Sequence, residues 1–335
     1  MKEALLYSRL DNNSVSCSLC AHRCLIPEGR RGLCGVRENR EGTLYSLVYG
    51  KAIATHVDPI EKKPLFNFLP GSLAFSVATV GCNMTCLHCQ NADISQSPRD
   101  NGRIMGRDIS PERLVEAALD EGCRTIAYTY TEPTIFFEYA LDTARLANKA
   151  GLKNIFVTNG YMTAKALEMI APVLDGANVD LKSFNDDFYR EICGARLQPV
   201  LDTIKRMFKL GIWVEVTTLV IPGHNDSEEE LESIARFLRD ISPDIPWHVS
   251  AFYPTYQLTD APRTPVSTLR KARELGQAAG LRYVYTGNIP GDDGENTFCH
   301  SCGQKIVERT GYRVGAINIR DGRCAFCAAP APGIW

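Results

Sequence analysis

Thirteen cysteines occur in this sequence, and eleven of them stand in three closely spaced groups. Cys82, Cys86 and Cys89 make a C-x3-C-x2-C run, Cys17, Cys20, Cys24 and Cys34 precede it, and Cys299, Cys302, Cys324 and Cys327 follow near the end. Thiolates at such spacings are metal ligands, because cysteines a few residues apart on one loop can converge on a single ion or cluster. Small secreted domains use many cysteines for disulfides. Here the short spacings, in a chain whose N-terminus lacks an apolar signal region, fit metal ligation better. Cys123 and Cys193 stand apart and read as packed thiols.

The central group has the most reactive potential. An iron-sulfur cube takes four cysteines, one per iron, so three leave one iron open. A closed zinc site would need a fourth ligand, and His88 is the formal candidate, although its adjacency to Cys89 makes joint chelation awkward. The last group forms two C-x2-C knuckles 21 residues apart. Residues 305–319 between them can form a hairpin that brings the knuckles together. A four-thiolate zinc site is the preferred reading there, and a rubredoxin-like iron site uses the same ligands. The first group, with Cys34 standing alone, suits zinc or an auxiliary iron-sulfur cluster, with zinc slightly favoured; His22 is a spare donor.

These ligands need a scaffold. Between about residues 73 and 285, short β-branched and aromatic runs alternate with longer segments of helical period, the pattern of repeated βα units around a parallel sheet. Strands are expected at 73–80, 125–130, 154–158, 177–181, 213–220, 247–252 and 282–285. Ser110 before Pro111, Gly151 after the 135–150 run, and Ser227 before an acidic first turn mark helix ends. Six or seven units are too few for an eight-stranded barrel, so the pattern allows a partial barrel or a doubly wound sheet. Either one gathers chemistry at the carboxyl ends of its strands, and Cys82 follows the first strand directly. The expected organisation is a cysteine-rich extension over 1–70, a catalytic core over 71–288 and a zinc-ribbon-like unit over 289–335. The proline-flanked stretch 58–64 reads as a loop.

Composition narrows the function classes. The formal charge of -2 comes from dispersed lysines and arginines, which argues against a nucleic-acid partner. No segment approaches the roughly 18 apolar residues of a membrane span, so a cytoplasmic protein is expected.

The Cys82, Cys86, Cys89 motif after the first strand resembles the radical S-adenosylmethionine superfamily. At finer grain, the first cysteine group with Gly32 and Arg37, the stretch from Asp58 to Leu65, Leu69 to Ser72, and Tyr128 to Pro133 together resemble the AmmeMemoRadiSam-system enzymes, relatives of pyruvate formate-lyase activating enzymes. The resemblance implies a partial (β/α)6 TIM-like barrel with small cysteine-rich metal-binding extensions. It also implies a [4Fe-4S] cluster on Cys82, Cys86 and Cys89 whose open iron binds S-adenosylmethionine. Tyr130, Thr131 and Glu132 then stand where the superfamily holds the methionyl amino group, with Tyr130 and Thr131 replacing two glycines. Thr158 and Asn159 are similar to an activase segment contacting ribose or carboxylate. Asp180 and Lys182 match another, and are the catalytic candidates. Thr217 and Ile221 lie in a segment that packs along the adenosine, and Phe252 is the expected adenine neighbour. Each has a plainer reading: Glu132 as a helix cap, Asn159 before Gly160 as a turn, Asp180 and Lys182 as an ion pair, Ile221 as core. Implied partners are a reductant such as flavodoxin or ferredoxin, and AMMECR-like and Memo-like proteins. An activase acting on a partner protein and a multi-zinc interaction scaffold are the competing functions.

Overall fold

The computed structural model describes residues 1–289 and 291–335. All seven anticipated strands form, and an eighth joins them. In chain order they are β1 (Ala54–Pro59), β2 (Leu73–Ala78), β3 (Thr125–Tyr128), β4 (Lys153–Thr158), β5 (Gly176–Asp180), β6 (Trp213–Val220), β7 (Trp247–Ala251) and β8 (Val284–Gly287). They pair in sequential order across one sheet, with β2 to β8 parallel and β1 antiparallel on β2 at the edge. A doubly wound sheet reverses its strand order partway; this one runs in sequence order throughout.

The stretch 58–64 departs from the expected loop. Asp58 and Pro59 end β1, and Ile60–Lys62 form one 3-10 turn. The reason is tertiary: β1 pairs with β2 from Ala54 to Pro59, and Pro59, the last residue of an edge strand, needs no ladder donor.

The helices between the strands follow local signals. Ser110 caps Pro111–Asp120 by accepting from the Arg113 amide, and Ser227 caps Glu228–Ile241 through the Glu230 amide. The helix Leu197–Lys209 buries Leu197, Val200, Leu201, Ile204 and Met207, one stripe at helical spacing against the sheet. Phe137–Lys149 stays buried along most of its length because the N-terminal extension covers its outer side, with Glu138 accepting from the Leu5 amide.

Two buried charges fasten the pieces. Glu215 on β6 accepts from the Phe66 and Asn67 amides, from the Trp213 indole and from the His248 ring. Arg309, fully buried in the C-terminal hairpin, donates to the Phe66 carbonyl at 2.6 Å and to Thr297 at 2.7 Å, with Glu61 at 3.6 Å. That hairpin, Lys305–Thr310 against Arg313–Ile317, is the one expected between the knuckles. Among the described residues, no helix is long and apolar enough to cross a membrane.

Candidate functional site

A cavity of about 500 Å³ opens at the carboxyl ends of the parallel strands. The loop after β2 supplies Cys82, Cys86, His88 and Cys89, and the segment after β3 supplies Thr129, Tyr130 and Thr131. Thr158 and Asn159 come from β4, Asp180 and Lys182 from β5, Thr217 and Leu219 from β6, Ser250 from β7 and Asn288 from beyond β8. Every parallel strand of the sheet therefore contributes to one wall.

The cysteine loop is built on close contacts. Gly81 has φ +101, and a Cβ there would meet Val36 at 2.6 Å and the Cys34 carbonyl at 3.0 Å, so only glycine lets the N-terminal extension press against the loop. The Met84 amide donates to Cys82 Sγ at 3.4 Å, Asn159 Nδ2 donates to the same sulfur at 3.3 Å, and Cys89 Sγ lies 3.2 Å from the Ser95 hydroxyl. Burial pushes the Cys82 and Cys89 thiols above their ordinary range. Cys86 is pushed up chiefly by its neighbour Cys193, then by burial. Buried Cys82 and Cys86 and half-buried Cys89 thus favour the neutral thiol, and a bound metal centre would take the place of their protons.

Sulfur spacing separates the cysteine groups. Among the described residues, ligand atoms within 4.8 Å of one another occur at Cys299, Cys302, Cys324 and Cys327, and at Cys86, His88 and Cys193. In the first set Cys299 and Cys327 are 3.6 Å apart, and Cys302 and Cys324 3.8 Å. Tetrahedral zinc with bonds of about 2.3 Å requires sulfurs roughly 3.8 Å apart, so these four can bind a metal such as zinc. The sulfurs of Cys82, Cys86 and Cys89 are spread more widely.

Lys182 Nζ lies 2.8 Å from the Asp180 carboxylate, and the lysine is pushed well up: burial opposes its charge, but Asp180 and then Cys86 favour it more. His88 is buried, and its pKa is lowered to about 3 by burial and then by Lys182, so its ring is neutral. His88 Nδ1 and Thr217 Oγ1 are buried and lack a hydrogen-bond partner among the described residues.

Glu132, Ile221 and Phe252 stand away from this lining. Glu132 is fully buried, and both its oxygens are taken up by the chain itself. It accepts from the Thr134 amide, the Thr134 and Thr158 hydroxyls and the Asn159 amide. It therefore holds Asn159 in place rather than facing the cavity. Ile221 is core, its amide donating to Asn225 Oδ1, and Phe252 is core behind β7, its amide donating to Thr264.

One constellation on the wall escaped sequence reading. Asp58 accepts from Lys62 and Lys63, each at 2.7 Å, from Ser76 and from the Tyr130 hydroxyl. Lys63 Nζ also sits 4.5 Å over the Tyr130 ring. Tyr130 has φ +63, the left-handed conformation that suits glycine, and these contacts hold it there. Burial disfavours the Asp58 carboxylate, but hydrogen bonds from Lys62, Lys63 and Tyr130 outweigh this and hold it well below the usual carboxylate range. Burial pushes Lys63 down to about 8. The available signal was two adjacent lysines between prolines after an aspartate. Tyr312, from the turn of the C-terminal hairpin, also reaches the rim, as it does in an adjoining cavity of about 450 Å³ that shares Lys62, Gln90, Ser250 and Asn288.

Comparison with known proteins places these features in context. Residues 76–238 match the sequence model of the Radical SAM superfamily. The chain is 47% identical to the uncharacterized protein MJ0808 of Methanocaldococcus jannaschii over 98% of each chain. It is 23% identical to pyruvate formate-lyase 1-activating enzyme of Escherichia coli, over 48% of this chain and 66% of that protein. Among solved structures, a radical SAM methyltransferase from Sphaerobacter thermophilus aligns with a TM-score of 0.53 at 18% identity, covering 71% of each chain.

Proposed function

The chain belongs to the Radical SAM superfamily and is an enzyme; on that premise we propose that it cleaves S-adenosylmethionine reductively and uses the radical to take hydrogen from a substrate. The observation that carries this is the meeting of Cys82, Cys86 and Cys89 with a wall to which all seven parallel strands contribute.

The residues present fit the implied groups. The three sulfurs do not all lie within 4.8 Å of one another, which suits a [4Fe-4S] cube rather than a single ion, and three ligands leave one iron open. The unpartnered His88 Nδ1 and Thr217 Oγ1 on the wall suit a polar ligand. When bound, the cluster and S-adenosylmethionine supply the one-electron chemistry that yields methionine and a 5'-deoxyadenosyl radical. The rest is the work of the chain. Asn159 and the Met84 amide donate to Cys82 Sγ and fix its thiolate, and Glu132 fixes Asn159. Protonated Lys182, paired with Asp180, balances thiolate and carboxylate charge. Thr158, Thr217, Tyr130 and Thr131 line the space for the nucleoside and methionyl parts. The adjoining cavity beneath Tyr312 is assigned to substrate.

The proposed organisation is a partial barrel over 71–288, a cysteine-rich extension over 1–70 and a zinc ribbon over 289–335. The partners proposed are a flavodoxin or ferredoxin as reductant and AMMECR-like and Memo-like proteins. Relatedness to an activating enzyme supports a second reading, in which the substrate is a glycyl-radical loop of a partner protein. That reading is tested by looking for a protein-borne radical after mixing such a partner with enzyme, reductant and S-adenosylmethionine.

The main test is anaerobic reconstitution with iron and sulfide, followed by electron paramagnetic resonance with and without S-adenosylmethionine and an assay for 5'-deoxyadenosine. A cluster signal that the cofactor perturbs, absent when Cys82, Cys86 and Cys89 are all alanine, is expected. A cluster indifferent to S-adenosylmethionine, or none at these cysteines, would return the multi-zinc scaffold to first place.

A further inference from the structure

The four cysteines of the N-terminal extension converge although they come from different turns. The Cys17 amide donates to the Cys24 carbonyl at 2.9 Å, closing the loop that carries Cys20. Gly32, two residues before Cys34, lies so close to Cys24 that a Cβ there would stand 3.7 Å from its sulfur. Cys17, Cys20 and Cys34 each lie near enough to Cys24 for its charge to bear on their thiols. Yet no three of these sulfurs lie within 4.8 Å of one another, in contrast to the C-terminal set, whose spacing matches one tetrahedral ion. The N-terminal group is gathered, but more loosely than one tetrahedral zinc requires.

A second, independent feature points the same way. Arg37 is buried, with its side chain 2% exposed, and both terminal nitrogens are spent on Glu138 at 3.0 and 2.8 Å. Its Nε-H has no partner among the described residues. Arg37 lies near enough to Cys17 and Cys34 for its charge to bear on both thiols. A buried donor left unpaired costs about 1 to 3 kcal/mol, so its retention calls for an acceptor. Thiolate or sulfide sulfur of a cluster is such an acceptor, and hydrogen bonds to cluster sulfurs are a standard means of tuning it.

Ligand order completes the case. Cys17, Cys20 and Cys24 make C-x2-C-x3-C, the mirror of the C-x3-C-x2-C run at Cys82, so one loop again offers three ligands at separate points, and Cys34 supplies the fourth. We propose that Cys17, Cys20, Cys24 and Cys34 hold a second, fully ligated [4Fe-4S] cluster, with Arg37 donating to its sulfur. Full ligation by four thiolates leaves no iron open, so this cluster does not bind S-adenosylmethionine. It sits directly behind the loop that carries Cys82, Cys86 and Cys89: His22 Nε2 contacts the Asn83 carbonyl at 2.6 Å, and Arg99 bonds both the Leu33 and Cys82 carbonyls.

The test is metal analysis of the full chain after anaerobic reconstitution with iron and sulfide and removal of loosely bound metal. Expected for the native sequence are about eight irons, eight acid-labile sulfides and one zinc per chain, from two cubes and one four-thiolate site. Four irons with two zincs, or six irons, would overturn the proposal while leaving the first cluster standing. The Cys82→Ala, Cys86→Ala, Cys89→Ala variant should keep about four irons and, when reduced, a paramagnetic signal unchanged by S-adenosylmethionine. The Cys20→Ala, Cys34→Ala variant should lose that signal and keep the one that S-adenosylmethionine perturbs. Should the native chain hold four irons that survive loss of Cys82, Cys86 and Cys89, the N-terminal site is upheld and the reading of the central site fails.

Discussion

Glu138→Ala removes every side-chain hydrogen bond that Arg37 makes. In the native chain two guanidinium nitrogens donate to Glu138 at 3.0 and 2.8 Å, Nε has no partner among the described residues, and the Leu5 amide donates to the same carboxylate at 2.9 Å. Arg37 is 2% and Glu138 0% exposed, so water cannot replace the lost acceptor without opening the contact between the extension and the helix Phe137–Lys149. Breaking a buried pair by removing one partner costs about 3 to 5 kcal/mol, because a charge is left buried alone. Removing both charges with shape-filling apolar groups is often neutral. At about 4 kcal/mol, and 1.36 kcal/mol per decade, local opening of the extension becomes roughly a thousandfold more frequent. Hydrogen exchange reads this directly. Amides of the strand Arg37–Arg40 should exchange about three orders of magnitude faster in Glu138→Ala, while those of β7 change far less. The Arg37→Met, Glu138→Met double variant should lie nearer the native chain than either single loss. Acceleration below about tenfold, or a double variant as poor as the sum of the singles, would refute the assignment of this pair as the fastening.

Asp58→Asn should flatten the acid limb of stability. The Asp58 carboxyl is held below its unfolded value of about 3.8, so its contribution is complete above that pH and is lost as pH falls through the lower folded value. Urea midpoints compared at pH 7 and across the window below 4 check the sign: the native chain should lose more than the variant does. Asn159→Ala removes donors to Cys82 Sγ at 3.3 Å and to Asn83 Oδ1 at 3.1 Å. Loss of such outer contacts costs about 10- to 100-fold in affinity or activity. The expected result is a cluster that still assembles but yields 5'-deoxyadenosine at least tenfold more slowly, read in the same anaerobic assay.

The sequence by itself determined most elements of the core and picked out the cysteine groups able to bind metal. Strand runs such as 213–220 carry β-branched and aromatic residues whose preference is local, and Ser110 and Ser227 cap helices through amides three residues away. The cysteine groups were legible because ligands on one loop must be close in sequence. Pairing partners are distant in sequence, so only tertiary structure made 54–59 a strand of the main sheet and turned the stretch after it into a wall of the cavity. Glu132 looked like a ligand contact, but residues 26 and 27 positions later in the chain claim its oxygens. Sulfur spacing is likewise three-dimensional: both groups of four cysteines could be read as zinc sites in sequence, and only the C-terminal four have sulfurs all within 4.8 Å of one another. Local chemistry can be read from neighbours along the chain, whereas the distances that choose between one ion and a cluster are set by packing between distant segments.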